Sequence, residues 1–298
     1  MNFLLTGATG FIGEELREIL LKEGHFLKIL TRSPKKYQIE GVKNETFVSW
    51  DADLIQVMEE SDVVINLVGE NVFGSRWNEE VKKRIYDSRI DSTRQLVDAM
   101  REAEQKPELF ISASASGYYG HNGDEKLYEG SGPGDNFLAK VCIDWEAEAM
   151  KAAEMGLRVA IPRIGIVLEK GGGALDQMIP PFQFFVGGPV SHGNQYMPWI
   201  NDTDLCHAIL FTGQHQDFEG VYNAVGPAPV TMNMFAKELG KAMHRPSLFR
   251  VPEIAIRMMF GEGAKPILDS IRAHPKKLLD AGFTFRYEEV DEALNAIF

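Results

Sequence analysis

"NFLLTGATGFIGEELREILLKEGHFLKILTR", residues 2–32, is the stretch on which the fold turns. A short apolar run from Asn2 to Thr6 ends in a glycine-rich turn. Ile12, Leu16, Ile19 and Leu20 then recur at helical spacing until Gly24, and a second apolar run follows. Strand, helix and strand in so short a span is the unit of a parallel sheet, because parallel neighbours need a crossover and a helix supplies it. The turn carries Gly7, Gly10 and Gly13 as G-x-x-G-x-x-G. Glycines there let the backbone turn tightly and approach a pyrophosphate, whose charge is met by the open N–H groups of the following helix. This reading places Gly7, Thr9, Gly10, Phe11, Ile12 and Gly13 at a dinucleotide.

The alternation continues outward. "ETFVSW" (45–50) and "DVVINLVG" (62–69) read as strands, the latter apolar enough for burial on both faces. A long amphipathic helix spans 78–103, and "LFISASA" (109–115) is a strand. A helix follows over 136–155, with Phe137, Val141, Trp145 and Ala149 on one stripe, and "RVAIPRIGIVL" (158–168) is a further buried strand. Strands separated by helices give an α/β fold with a doubly wound parallel sheet. From about residue 170 the chain turns to Gly, Pro and aromatic residues. A strand "GVYNAVG" (220–226) and helices at 231–244 and 252–260 follow. The expected division is a Rossmann domain over 1–170, to which strand 220–226 returns, and a smaller substrate domain over 171–298. In the second part Asp202 or Asp204 stands where it caps the helix beginning "LCHAI". Phe182 and Trp199 read either as pocket walls or as core.

Of the 298 residues, 44% are apolar and 25% charged, which describes a soluble globular protein. A net charge of −12 with no basic run disfavours nucleic acid and anionic membranes as partners. The longest apolar stretch is interrupted by Pro162 and Arg163, so no membrane span is expected. The chain begins directly in strand-like sequence, no signal peptide is read, and the cytoplasm is the expected location. Cys142 and Cys206 are the only cysteines and cannot build a disulfide framework or a metal cluster. The second strand ends in Thr31-Arg32-Ser33, with Lys35 and Lys36 beyond. A carboxylate there would accept a bond from a ribose 2′-hydroxyl, whereas Arg32 and Ser33 suit a 2′-phosphate. NADP(H) is therefore expected over NAD(H).

Further motifs add to this. "TGATGFIG", "VINLVGENV", "RWNEEVKKRIYDSRIDSTRQLV", "SASASGYYG", "FLAKVCIDWE", "PRIGIVL" and "PWINDTDLCHAI" together resemble the atypical short-chain dehydrogenase/reductase proteins called the epimerase family. "RVPEIAIRMMFGEG" and "HPKKLLDAGFTFRY" resemble the small domain that closes them. The resemblance covers essentially the whole chain and implies a Rossmann fold of the extended short-chain dehydrogenase type. It also implies that Leu67, Val68 and Gly69 pass the adenine-side ribose and pyrophosphate. Asp51 then stands near the adenine, or is a surface turn residue.

In active relatives a tyrosine exchanges a proton with the substrate oxygen, a lysine four residues later lowers its pKa, and a serine polarises the same oxygen. Here Asn136 stands four residues before Lys140. Aligned on Glu146 instead, the two positions fall on Leu138 and Cys142. Neither register supplies the pair, and Lys140 reads as a surface partner of Asp144. Ser114 is either a substrate-polarising hydroxyl or a buried structural serine. Tyr118 and Tyr119 are either substitute acids or packing residues. By the resemblance, Arg89 occupies the place of an asparagine that supports the missing tyrosine. It is either a pocket group, which would imply an anionic substrate, or the ion-pair partner of a carboxylate such as Asp87 or Asp91. Two functions stay open: an NADP(H)-dependent oxidoreductase or epimerase with an unusual acid, and a non-catalytic NADPH sensor or scaffold. The substrate and the oligomeric state are open as well.

Overall fold

The computed structural model describes residues 1–37, 44–73 and 76–298. The first half runs β1 (Asn2–Thr6), α1 (Phe11–Lys22), β2 (Phe26–Thr31), α2 (Pro34–Tyr37), β3 (Glu45–Ser49), α3 (Leu54–Glu59), β4 (Val63–Asn66) and α4 (Glu79–Glu102). It continues with β5 (Leu109–Ser112), β6 (Ser114–Ala115), β7 (Lys126–Leu127), α5 (Phe137–Met150), β8 (Arg158–Ile164) and β9 (Ile166–Leu168). The second half contains α6 (Gly173–Gln183), β10 (Tyr196–Met197), β11 (Trp199–Asn201), α7 (Asp202–Gln214), β12 (Gly220–Ala224), β13 (Val230–Thr231) and α8 (Met232–Ala242). The chain ends with α9 (Glu253–Phe260), α10 (Lys265–Leu268), β14 (Arg272–Ala273), α11 (Lys276–Asp280) and α12 (Val290–Ile297).

The main sheet has the order β3-β2-β1-β4-β5-β8-β12, with β6 beside β8. Its pairings are parallel. The chain winds from β1 to β3 in one direction and from β4 onward in the other. The switch point therefore lies between the carboxyl ends of β1 and β4, where Thr6 pairs with Asn66. Leu16 and Leu20 of α1 and Leu205 and Ile209 of α7 cover one face of the sheet. Leu96, Val97 and Met100 of α4 and Ala149 of α5 cover the other. No helix among the described residues is long and apolar enough to cross a membrane.

Asn66 is fully buried and joins the layers. Its Oδ1 accepts the Thr6 hydroxyl at 2.7 Å and the Val68 N–H at 3.3 Å. Its Nδ2 donates to Thr93 Oγ1 at 2.9 Å and Ser112 Oγ at 3.2 Å. Trp145 Nε1 donates to the same Thr93 oxygen at 2.9 Å. A buried amide is tolerated when it is this fully bonded, and it then fixes one arrangement of its neighbours.

The later segments interleave with the earlier ones. α7 and β12 pack into the main sheet, while α6, α8 and α12 share a separate core. Phe182 and Trp199 lie inside that core, and Trp199 Nε1 donates to Ala228 O at 2.9 Å. β7 pairs with β14, which ties the C-terminal part to the loop before α5. Asn201, not Asp202 or Asp204, caps α7: its side chain accepts the Thr203 N–H at 3.0 Å. A cap residue needs extended backbone, which Asn201 has at the end of β11, whereas Asp202 is already helical. Asp204 instead accepts the N–H groups of Arg286 and Tyr287 at 2.8 and 3.0 Å.

Asp202 is 4% exposed and its Oδ1 has no hydrogen-bond partner among the described residues. Burial, then the charges of Glu15 and Glu169, push its pKa up to about 7. The native state thus holds a proton that the unfolded chain releases near pH 4, so stability falls as pH rises from about 4 to about 7. Thermal unfolding at pH 5 and pH 8 should show this loss in the parent chain and a flatter profile in Asp202→Asn. The difference between these two pH values is on the order of 3 kcal/mol at most.

Candidate functional site

The glycine turn is built for close backbone approach. Gly7 has φ +73°, and a Cβ there would lie 2.8 Å from the carbonyl carbon of Leu67. A Cβ on Gly13 would collide with the backbone of Gly7 and Ala8. Only glycine lets the turn fold against the end of β4 while α1 is drawn down over it. Gly10 starts α1 from extended backbone, and no side chain caps the first turn. The first-turn N–H groups at Phe11, Ile12 and Gly13 are therefore left to an external acceptor, with the positive end of the helix dipole behind them. Thr9 lies in the same turn. Leu67, Val68 and Gly69 form the adjoining wall.

Arg32 and Ser33 are exposed at the end of β2, and Arg32 makes no ion pair among the described residues. Asp51 is exposed after β3, where Ser49 Oγ donates to its Oδ2 at 3.3 Å. These expected cofactor positions gather at the carboxyl ends of β1 to β4, and the cradle fits a dinucleotide. One contact was not foreseen. The loop Gly171–Gly173 lies over Phe11, and a Cβ on Gly172 would meet that ring at 2.6 Å. The run of three glycines was its only trace in the sequence.

The chemical side of the site is set by α5. Leu138, Cys142 and Glu146, spaced i, i+4 and i+8, share the face toward β6 and the turn that follows. A Cβ on Gly117 would lie 3.5 Å from Leu138 Cβ, and Cys142 Sγ is 3.6 Å from Ala115 O. Glu146 accepts Ser114 Oγ at 2.6 Å and Arg163 Nε and Nη2 at 2.8 Å each. Lys140 points outward to Asp144 at 3.0 Å. The inner register is therefore that of Glu146, and Leu138 and Cys142 hold the places of the tyrosine and lysine. Burial pushes the Cys142 thiol up to about 11, so it stays protonated at neutral pH. Asn136 has another task. Its Oδ1 caps α5 at Ala139 N (2.9 Å), and its Nδ2 donates to Asp269 at 3.1 Å.

Arg163 extends the network. It donates through Nη1 to Tyr119 OH at 3.0 Å, and that hydroxyl donates to Asn223 Oδ1 at 2.6 Å. The Tyr118 ring lies 3.3 Å from the guanidinium carbon. Burial raises the Tyr119 pKa against the opposing pull of Arg163. Ser114 and Tyr119 are thus engaged in the interior, and Tyr118 packs on a cation. Reading the sequence missed Glu146 and Arg163. The available signal was an arginine inside an otherwise apolar strand, which requires a counter-charge.

Arg89 forms neither expected ion pair, because Asp87 goes to Lys83 and Asp91 to Arg94. Its Nη1 and Nη2 donate to Ile85 O and Glu70 O at 3.0 and 3.1 Å, and its guanidinium stacks 5.2 Å from the Trp145 ring. A Cβ on Gly69 would be 2.8 Å from Nη2. Arg89 is a strut that pins the loop after β4 onto α4. Burial lowers its pKa.

Beyond the inner face of α5 opens a cleft of about 570 Å³. Trp77, Phe137 and Leu138 line it together with Asn136, Arg257, Gly261, Glu262, Lys265 and Asp269.

Comparison with known proteins bears on this geometry. Residues 3–225 match the model of the NAD dependent epimerase/dehydratase family, and residues 251–297 match a domain of unknown function, DUF1731. The chain is 39% identical to "Epimerase family protein SDR39U1 homolog, chloroplastic" of Arabidopsis thaliana, over 100% of this chain and 86% of that protein. It is 35% identical to "Epimerase family protein YfhF" of Bacillus subtilis, over 100% and 98%. Among solved structures, human epimerase family protein SDR39U1 (isoform2) with NADPH superposes with a TM-score of 0.89 at 30% identity, covering 100% and 99% of the two chains. UDP-glucuronic acid 4-epimerase from Bacillus cereus, with UDP-glucuronic acid and NAD, shares the fold at a TM-score of 0.80 and 18% identity.

The Glu146–Arg163 pair gives a direct test. Glu146→Gln leaves a buried guanidinium without its counter-charge and should cost about 3–5 kcal/mol in denaturant unfolding. A Glu146→Leu, Arg163→Met double variant should recover most of that loss.

Proposed function

The chain belongs to the NAD dependent epimerase/dehydratase family, and on that premise we propose that it binds NADP(H) in preference to NAD(H) and acts as an oxidoreductase lacking the usual Tyr-x-x-x-Lys pair. The observation that carries the cofactor reading is the uncapped start of α1 beneath Gly7 and Gly13, with exposed Arg32 beside it. The backbone N–H groups of residues 11–13 would take the pyrophosphate, and Arg32 and Ser33 the 2′-phosphate. Bound there, the cofactor supplies or accepts a hydride. The protein holds the ligand, excludes water with the apolar side chains Leu138 and Cys142, and offers no proton from α5.

A non-catalytic NADPH sensor or scaffold is the second reading, favoured by that same empty acid–base stripe. Turnover separates the two. The anionic substrate expected from Arg89 gains no support, since its guanidinium is held by two carbonyls and lies outside the cleft lining.

A ligand at 100 times its dissociation constant stabilises the native state by about 2.7 kcal/mol. NADPH should raise the melting temperature more than equal NADH, and Arg32→Ala should remove the difference. Equal shifts in the parent chain would defeat the preference, and no shift with either would defeat cofactor binding. Lys140→Ala should leave NADPH affinity unchanged by calorimetry, because its ammonium faces solvent and Asp144.

A further inference from the structure

The surface made by the end of α6, the segment before α9 and α9 itself is strongly apolar. Phe184, Phe185 and Val186 leave α6 more than half exposed. Leu248 and Phe249 do the same, and Phe184 and Leu248 reach 77% and 80%. On α9, Ile254 and Met258 stand one turn apart with Met259 beside them, all more than half exposed. Elsewhere among the described residues, the large apolar side chains exposed to that degree are Met1, Phe26 and Met234. So much apolar surface in one place marks a contact site.

The three segments are joined. Phe249 N–H donates to Gly187 O at 3.3 Å, and Val251 N–H to Pro189 O and Ser191 N–H to Val251 O at 2.9 Å each. Ser191 Oγ donates to Glu253 at the start of α9 at 3.2 Å. Phe182 roots the surface in the core it shares with α8, and a Cβ on Gly187 would meet its ring at 2.4 Å. Backbone strain gathers here too. The non-glycine residues with positive φ among those described are Phe185, Ser191 and His244, at 61°, 57° and 54°. His244 precedes Arg245, whose guanidinium lies 4.8 Å from the Phe185 ring. Positive φ is costly for a residue as bulky as phenylalanine, and here it accompanies a ring held out to solvent.

Charge decides what covers this face. The chain has 43 acidic residues against 31 basic, yet residues 177–201 contain neither, and residues 242–259 contain Arg245, Arg250 and Arg257 against Glu253 alone. Arg250 donates to the carbonyls of Ser191 and His192 and Arg245 to that of His244, and neither meets a carboxylate among the described residues. Of the packed helices, α8 brings Glu238, held by Lys241, and α6 brings Asp176, which accepts the Gly171 N–H. The expectation against anionic membranes rests on the net charge of −12, but folding collects on one face cations that the sequence scatters. A second copy across a two-fold axis would set arginine against arginine. The apolar tips also stand out from the backbone instead of lining a groove, which suits a fluid boundary. Anionic headgroups would take the arginines, and the acyl boundary the rings and methionines.

We propose that this face seats the protein on a membrane surface that contains anionic lipid. The full chain, mixed with vesicles of equal parts phosphatidylglycerol and phosphatidylcholine, should float with them in a density gradient. It should not float with phosphatidylcholine alone, and added salt should weaken the binding. Phe184→Ser with Leu248→Ser should lower the affinity at least about tenfold, and so should Arg250→Gln with Arg257→Gln. These side chains are exposed, so the melting temperature should hold. Phe185→Asn provides a further variant that should weaken binding without loss of stability, because asparagine accepts positive φ. Absence of flotation with the anionic vesicles, equal flotation with both kinds, or unchanged binding in the Phe184→Ser, Leu248→Ser variant would overturn the proposal. A dimer in sedimentation that this variant converts to monomer would overturn it as well and give the face to a second copy.

Discussion

The buried ion pair between Glu146 and Arg163 is the constraint from which the chemical half of the molecule follows. Two charges taken out of water are tolerable only when each is fully bonded, and here the carboxylate meets two guanidinium nitrogens and a serine hydroxyl. That requirement fixes which face of α5 turns inward. With Glu146 inside, Cys142 and Leu138 must be inside too, at one and two turns' remove, and Lys140 and Asp144 must be outside. The identity of the site's inner wall is therefore a consequence of an electrostatic pairing on a neighbouring strand. Asn66 performs the corresponding service for the cofactor half, joining β1, β4, β5 and α4 where the strand order reverses.

The sheet and the glycine cradle were legible in the sequence because both rest on local rules. Alternating apolar runs and helical periods need no tertiary information, and Gly7 and Gly13 announce themselves by position. The register of α5 was not legible, since two alignments were possible and the residue that decides between them pairs with a strand 17 positions later. The α7 cap failed for a smaller reason: Asn201, Asp202 and Asp204 are all good caps, and only the end of β11 selects among them. For Arg89 the sequence offered a pocket role or a carboxylate partner, whereas two backbone carbonyls, Ile85 O on its own helix and Glu70 O in the loop after β4, hold its guanidinium.

The site is consistent in what it omits. Near β6, Ser114, Tyr119 and Arg163 are each tied to a buried partner, while Tyr118 lays its ring on Arg163 and makes no hydrogen bond through its hydroxyl among the described residues. The cleft at the start of α5 joins apolar Trp77, Phe137 and Leu138 to charged Arg257, Glu262, Lys265 and Asp269.

The bond from Asn136 to Asp269 spans 133 positions, and β7 pairs with a strand at 272–273. During synthesis, the start of α5 and the loop before it therefore emerge long before their partners exist. The sheet itself lacks its edge strand β12 until residue 224 has left the ribosome. The nascent chain must carry Tyr119 and Leu127, both buried in the finished protein, without their cover until Val225, Ile271 and Ala273 have been made. Native order at the cleft therefore waits on residues 269–273, and the intermediate that lacks them is the species most in need of protection from aggregation.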